Sequence, residues 1–404
     1  MRSYPSNACD TRELAATVRS TAAVACETAC IALVSVVINN YNYGRFLGAA
    51  LDSALAQSPK PEVVVVDDGS TDDSREIIAS YGTDVVPVLK ENGGQTSALN
   101  AGFKIATGDP VIFLDADDIL LPGAVERVLK ECAADSVAKA HWQMRGLEED
   151  GTLGDDLVPP EALSQGDLRE LLLRDGPGAI ESPPTSGNAW SRHFLEAVCP
   201  LSHEFEQCAD AYLGAFAPLH GTVVRIEEPL SAYRRHEASH FAAKTFDTRV
   251  AIQRTFHDCC CEALEQFCAE RGLPVDRERW DLESWICPLE DLAQVIQRHV
   301  PIGETFIIID DDEFDMDATG GRPAVPLMVR DGMYWGSPED DAEALAALDA
   351  HEANGIRFLA LAPPSRWWLD EYPRFFARLT DQADVLFDDG QLTIYGLRGA
   401  RRES

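Results

Sequence analysis

The chain has 404 residues, with 34 Lys and Arg against 68 Asp and Glu, a formal net charge of −34. That length allows two or more domains with ample core. The acidity argues against nucleic acid or anionic membrane as partners, and without a run of eighteen apolar residues no transmembrane segment is predicted.

Residues 1–31 are rich in Ala, Thr and Ser. They lack the basic start and unbroken apolar core of a secretion signal, and read as a disordered extension with no assigned role. Residues 33–38 predict a first strand, 39–44 a loop, and 46–57 a helix, from their apolar spacing. Residues 62–66, four of them valine, predict a second strand. It runs into Asp67-Asp68-Gly69-Ser70-Thr71-Asp72-Asp73, where Asp72 or Asp73 can cap a helix. Residues 85–89 predict a third strand and 90–95 a turn, and a helix then runs through Ala106. Val111-Ile112-Phe113-Leu114 is a fourth, buried strand, and it ends in Asp115-Ala116-Asp117-Asp118.

Strands alternating with helices predict a parallel sheet, whose ligands bind beyond the carboxyl ends of the strands. Asn39, Asp68, Asn92 and Asp115 each follow such an end, so they converge on one rim. Carboxylates as dense as Asp115, Asp117 and Asp118 repel one another and are costly to bury without a cation. An all-oxygen set suits Mg²⁺ or Mn²⁺. An isolated Asp-x-Asp would be read as a solvated helix cap; the motifs before it change that reading.

The order VSVVINNYN, VVVVDDGSTDDS, ENGGQTSALNAG, VIFLDADD resembles the family-2 glycosyltransferases of the A-type, nucleotide-sugar-binding fold. The resemblance implies inverting transfer of a sugar from a nucleotide diphosphate donor to a glycan or glycoconjugate hydroxyl. It implies that Asn39 contacts the nucleotide base and that Asp68 accepts the base imide N–H, favouring a uridine donor. Tyr41, Asn92, Gly93 and Asn100 complete the donor side with Asp115, and Arg234 or Arg235 faces the diphosphate. Asp117 binds the cation (Mn or Mg) directly, Asp115 shares its shell, His236 completes it, and Asp118 caps or supports. Where many members have Arg before Asn100 this chain has Leu99, which leaves Lys90 or the amides of Gly93 and Gly94 as pyrophosphate contacts.

Inverting transfer needs a general base. The family's Glu-Asp pair corresponds here to Ala209-Asp210, so Asp210 is the candidate, with Glu204 and Glu206 as rivals. The small-residue loop Thr185-Ser186-Gly187-Asn188-Ala189-Trp190 is assigned to the acceptor, with Trp190 stacking on a sugar face. Processive synthases of the family add membrane helices and a Gln-x-x-Arg-Trp motif. The nearest string, Asp276-Arg277-Glu278-Arg279-Trp280, lacks the Gln, so a single-addition enzyme is expected.

The resulting organisation is an α/β catalytic domain at 32–244, a helical connector at 245–300 with a Pro-interrupted linker near Cys287-Pro288, and a second small α/β domain at 301–399. That last part resembles an uncharacterised domain appended to some bacterial family-2 enzymes, through Trp367-Trp368-Leu369-Asp370. The acidic run 310–313, with no phosphate-binding glycine loop, reads as a solvated turn. The 11 cysteines form no Cys-x-x-Cys knuckles and Cys259–Cys261 read as a buried helix face, which predicts a reduced, cytoplasmic protein. Two other readings stay open. A nucleotidyltransferase would need a basic, Gly-rich loop after the first strand, which this chain lacks. A non-catalytic scaffold relative is kept open by Ala209.

Overall fold

The structure, a computed structural model, describes residues 33–205, 208–236, 246–284, 286–310, 320–330, 333–334, 336–362, 365–390 and 392–398. The expectations for residues 1–31, Glu206 and 311–313 lie outside the described residues. Among the described residues four sheets form, the largest seven-stranded.

The chain first lays down β1 (Ser35–Asn40), α1 (Gly44–Leu55), β2 (Glu62–Asp67), α2 (Ser74–Ser80), β3 (Val86–Leu89), α3 (Gln95–Ile105) and β4 (Val111–Asp115). β1 pairs in parallel with both β2 and β4, and β2 with β3. Alternate residues of these strands enter two cores. Val36, Ile38, Val63 and Val65 pack with Leu47 and Leu51 of α1, whereas Val37, Val64 and Val66 pack with Ala98 and Leu99 of α3. Period-two alternation between two apolar layers explains why these strands read as continuous valine and isoleucine runs. Gly102 lets α3 lie close on the sheet, since a Cβ there would fall 2.2 Å from a Val37 methyl.

Next come β5 (Ile119–Leu120), α4 (Ala124–Glu131), β6 (Val137–Trp142), β7 (Met144–Leu147), β8 (Leu153–Val158), α5 (Arg169–Asp175), β9 (Asn188–Trp190), α6 (Arg192–Val198), α7 (Ala209–His220), β10 (Thr222–Ile226) and β11 (Ser231–Arg234). The large sheet has the order β10-β6-β9-β4-β1-β2-β3, and a smaller one the order β5-β11-β7-β8. β9 inserts antiparallel between β4 and β6. This half of the sheet is not evident in the local pattern, because β9 is only three residues long.

Three helices follow: α8 (Phe246–Arg271), α9 (Arg277–Glu283) and α10 (Ile286–His299). Cys261 and Leu264 of α8 and Trp280 of α9 join the core that holds Val37 and Phe113. The buried cysteine face is therefore present, with Cys260 and Cys261 both buried. Pro288 does not interrupt a linker. It sits in the first turn of α10, where a missing N–H costs nothing, and α10 contributes Val295 and Ile296 to the core beneath Phe306 and Ile308.

The last sheet has the order β13-β12-β16-β18-β17. It comprises β12 (Phe306–Ile309), β13 (Ala324–Pro326), β16 (Phe358–Leu361), β17 (Ala383–Asp388) and β18 (Thr393–Leu397), with a short hairpin of β14 (Val329–Arg330) and β15 (Met333–Tyr334) beside it. The helices are α11 (Asp341–Ala353), capped by the Asp340 carboxylate, and α12 (Trp368–Glu371) and α13 (Pro373–Gln382). These last two are separated at Tyr372, where Pro373 starts a new helix. Among the described residues no helix is long and apolar enough to cross a membrane.

Candidate active site

The carboxyl ends of β1, β2 and β4 open into a cavity of about 1010 Å³. The parallel register places Asn39 beside Asp115 and Asn40 beside Asp67. Asn39 and Asn40 are the last residues of β1 and not a free loop, which fixes their side chains against the neighbouring strand ends. Asn39 Nδ2 donates to Asp115 Oδ1 at 2.7 Å, and Asn40 Nδ2 to Asp67 Oδ1 at 3.1 Å. Asn39 Oδ1 is buried without a partner and borders the cavity. Asn39, Tyr41, Asp68, Asn92, Asp115, Asp117 and Asp210 all line this space.

Asp68 follows β2 and is almost fully buried. Its carboxylate accepts from Lys90 Nζ, from Gly93 N and from Gly94 N, the last at 2.8 Å. Gly93 N bridges both oxygens, at 3.2 and 3.1 Å, so the carboxylate's acceptor positions, about four, are all engaged and a ligand N–H reaching it would displace the bridging contact. The same contacts correct the pyrophosphate assignment: Lys90 and the amides of Gly93 and Gly94 point at Asp68. Gly69 bends the chain into this pocket with a φ of +82°, and a Cβ there would meet Asn92 N at 2.6 Å.

The acidic turn after β4 is held from several sides. Asp115 accepts from Gln95 Nε2 at 3.1 Å as well as from Asn39, and its backbone N–H donates to Ser186 Oγ at 3.0 Å. Burial, then the charge of Asp117, raises the pKa of the Asp115 carboxyl. Burial also raises that of Asp118, with Asp117 and Asp115 adding to it. Asp118 supports the turn, as its side chain accepts the Arg234 N–H at 2.8 Å. His236 Nε2 lies 3.0 Å from Asp117 Oδ2, its ring packed against Tyr43 and Phe46. A hard divalent cation suits this donor set: clustered carboxylates whose charge is disfavoured, one imidazole, and the orphaned carbonyl oxygen of Asn39.

Several assigned residues serve other ends. Arg234 is 5% exposed and does not reach the cavity. Its guanidinium donates to the Asp117 carbonyl at 2.7 Å and to those of Glu148 and Glu149, so it holds the acidic turn and is not a diphosphate contact. Arg235 is engaged outside with Asp156. Asn100 exchanges both of its amide bonds with the Leu201 backbone, which removes it from the donor side. Trp190 is 1% exposed between Phe113 and Phe194 and cannot stack on a sugar. Asn188 is buried too, donating to the carbonyls of Pro183, Pro184 and Thr185. Ser186 braces Asp115, and a Cβ on Gly187 would strike Pro183 and the Trp142 carbonyl. Of the acceptor loop expected at 185–190, Thr185 faces the cavity together with residues 180–184, while 186–190 form the rear wall.

Asp210 is the second residue of α7. Its Oδ1 accepts from Ala211 N at 2.8 Å, and Thr185 Oγ1 lies 3.4 Å from its Oδ2. Burial pushes its pKa above the ordinary carboxylate value. Gln253 and Phe256 of α8 border the cavity on this side, as do Gln95, Tyr43 and Tyr233. Gln95 lay within a motif already legible in the sequence. Nothing local marks Phe256, which arrives from a helix far along the chain. Glu206 and the side chain of Glu204 lie outside the described residues. A second cluster of metal-ligand type, His257, Asp258 and Asp281, is already crossed by the Arg277 guanidinium, which pairs with both carboxylates.

One feature of the lining decides the chemistry. Asp68, Asp115, Asp117, Asp118, Glu181 and Asp210 all border the cavity, and no Lys or Arg does so among the described residues.

Residues 35–165 match the sequence profile described as Glycosyl transferase family 2. An uncharacterized glycosyltransferase of Nostoc sp. is 36% identical over 217 residues, covering 51% of this chain and 66% of that protein. The chondroitin synthase of Pasteurella multocida is 41% identical over 128 residues, 30% of this chain and 13% of that protein. The chain thus spans less than two thirds of the length of these relatives. Among solved structures, S. aureus TarS 1–349 in complex with UDP-GlcNAc is 16% identical with a TM-score of 0.45, covering 90% of this chain and 99% of that one. Glucosyl-3-phosphoglycerate synthase of Mycobacterium tuberculosis, with Mg²⁺ and UDP, is 20% identical with a TM-score of 0.39, covering 67% and 86%. The match to the family-2 model thus falls on residues 35–165, which lie in the α/β part of the chain built around the seven-stranded sheet.

Proposed function

We propose that this family-2 domain makes the chain an inverting, cation-dependent glycosyltransferase, moving one sugar from a uridine diphosphate donor to a hydroxyl of a glycan or glycoconjugate. The observation that carries the reading is the cavity's charge. Six carboxylates and no Lys or Arg line it among the described residues, so a diphosphate enters only with a cation to offset the repulsion. Asp117 and Asp115 would hold that ion, with His236 fixing the orientation of Asp117. When bound, the ion neutralises the diphosphate and stabilises it as a leaving group.

The chain's own residues do the rest. Asn39, Asn40 and Tyr41 flank the site for the base, and Asp68 answers an imide N–H in place of the bridging Gly93 contact. A base lacking that donor would leave a buried carboxylate position unmatched, which favours uracil. Asp210, oriented by Ala211 N and Thr185, takes the proton of the acceptor hydroxyl as its oxygen attacks the anomeric carbon. Attack opposite the departing diphosphate inverts that carbon. Phe256 and Gln253 offer the acceptor an apolar face and a polar one.

The test is uridine diphosphate release from a panel of UDP-sugars with Mn²⁺, with and without simple sugar acceptors. Asp210→Asn should keep uridine diphosphate affinity while turnover falls by about two to four orders of magnitude, the range for losing a positioned base. A fully active Asp210→Asn protein would remove Asp210 from the mechanism.

A further inference from the structure

Lys139 has no role in the fold or in the reaction as described so far. It lies in the middle of β6 and is 1% exposed. Its Nζ donates to the neutral Ser182 Oγ at 2.5 Å and sits 5.0 Å from the centre of the Trp190 ring. No ion pair to it is found among the described residues. Burying an ammonium with so little compensation is costly, and an apolar side chain of similar volume would serve packing better.

Its position relates it to the transfer site. Gly214 is four residues after Asp210 and shares its face of α7. A Cβ on Gly214 would lie 3.8 Å from Lys139 Nζ and 3.4 Å from Ser182 Oγ. Ser182, Gly214 and Asp210 border the same cavity. The ammonium therefore lies just under the cavity wall, about one helical turn from the carboxylate, where a low dielectric lets charge act without contact. The other charged and titratable groups around the pair are Asp115 at the end of β4, His141 on β6 and Glu181, which precedes Ser182 on the cavity border. Asp115 opposes a second negative charge at Asp210, and His141 is held neutral by burial and then by Lys139 itself. From α8 only the uncharged Gln253 and Phe256 reach the cavity.

We propose that Lys139 is a positioning residue for the transfer step, its buried ammonium holding the Asp210 carboxylate ionised against burial and against the charge of Asp115. This rests on the reading of Asp210 as the base. The electrostatics agree with the geometry. Burial raises the Asp210 pKa and Lys139 opposes the rise. Burial pushes the Lys139 ammonium down to about 7, and Asp210 opposes that fall. Each charge sustains the other.

Two measurements test the pair. The first needs no substrate: thermal unfolding at pH 7 of the parent, K139M, D210N and the double variant. K139M removes a costly buried cation but also strips Asp210 of its opposite charge, so the coupling is read from the double variant and not from K139M alone. D210N should be less favourable in the parent than in the K139M background, by about 2 °C or more for a coupling of that kind. Additive shifts would overturn the proposal. The second is the pH profile of uridine diphosphate release from the best UDP-sugar of the panel. K139M should move the acid limb up by about one pH unit, with turnover about tenfold lower at low pH and restored at high pH. If D210N is inactive while K139M leaves that limb in place, this inference fails alone. If D210N keeps full activity, the reading of Asp210 fails and takes this one with it.

Discussion

Replacing Arg234 by Ala separates a structural cation from a substrate-binding one. Arg234 spans the acidic turn: its guanidinium bonds the Asp117 carbonyl at 2.7 Å and those of Glu148 and Glu149 at 3.2 and 3.3 Å, and stacks 4.8 Å from the Phe46 ring centre. A hydrogen bond from a charged donor contributes about 1.5–3 kcal/mol, and the short one belongs at the upper end. The two longer bonds add about 1 kcal/mol together, and the cation–π contact about 1 kcal/mol. Truncation also restores about 1–2 kcal/mol by no longer burying the guanidinium. The net loss is about 3–4 kcal/mol. Urea denaturation would read it as a lower midpoint with an unchanged slope. Because the lost bond held Asp117, Mn²⁺ affinity measured calorimetrically should fall at least about tenfold as well. An Arg234→Ala protein of unchanged stability that binds uridine diphosphate more weakly even in EDTA would refute this account and return Arg234 to the diphosphate.

Two further substitutions extend the reasoning. Trp190→Ala should destabilise by about 3–5 kcal/mol, the cost of truncating a fully buried aromatic, without altering uridine diphosphate affinity; Phe256→Ala should leave stability within about 1 kcal/mol and weaken acceptor use, since Phe256 borders the cavity. Reversed outcomes in denaturation and acceptor kinetics would restore Trp190 as the stacking residue. At the base of the site, burial would raise the Asp67 pKa, but hydrogen bonds from Ser70, Arg75 and Asn40 outweigh it and hold the carboxyl below its ordinary value. A depressed carboxylate stabilises the fold above its unfolded pKa, and that stability is lost as pH falls through the folded one. Asp67→Asn should therefore cost about 1–3 kcal/mol at pH 7 and progressively less below about pH 4; a pH-independent difference in unfolding free energy would contradict it.

The rim of the cavity at the strand ends was legible in the sequence because it obeys a local rule. Polar residues directly after apolar strands in a parallel βα pattern must meet at one rim, and Asn39, Asp68, Asn92 and Asp115 do. The rest of the cavity follows no such rule. Trp190 looked like an exposed loop aromatic, yet β9 returns antiparallel into the middle of the sheet and buries it. Arg234 looked like an anion contact, but its partners are backbone carbonyls, which have no sequence signature. Asn100 is spent on Leu201, across a separation of 101 residues. Phe256 and Lys139 were missed for the opposite reason. One sits on a helix beyond the recognisable motifs, the other in a strand whose remaining residues are buried, and only the assembled cavity relates them to Asp210. In the C-terminal sheet β12 and β16 are apolar runs of the kind that marks a buried strand, while β13, three residues long with a proline, offers no such signal.

The most direct test of the account is calorimetric titration of uridine diphosphate into the protein with Mn²⁺ and, separately, with EDTA, repeated for Asp117→Ala. An acidic cavity that needs a cation to admit a diphosphate predicts binding with Mn²⁺, none in EDTA, and none for Asp117→Ala in either buffer. Uridine diphosphate affinity that is the same in EDTA as in Mn²⁺ would contradict it.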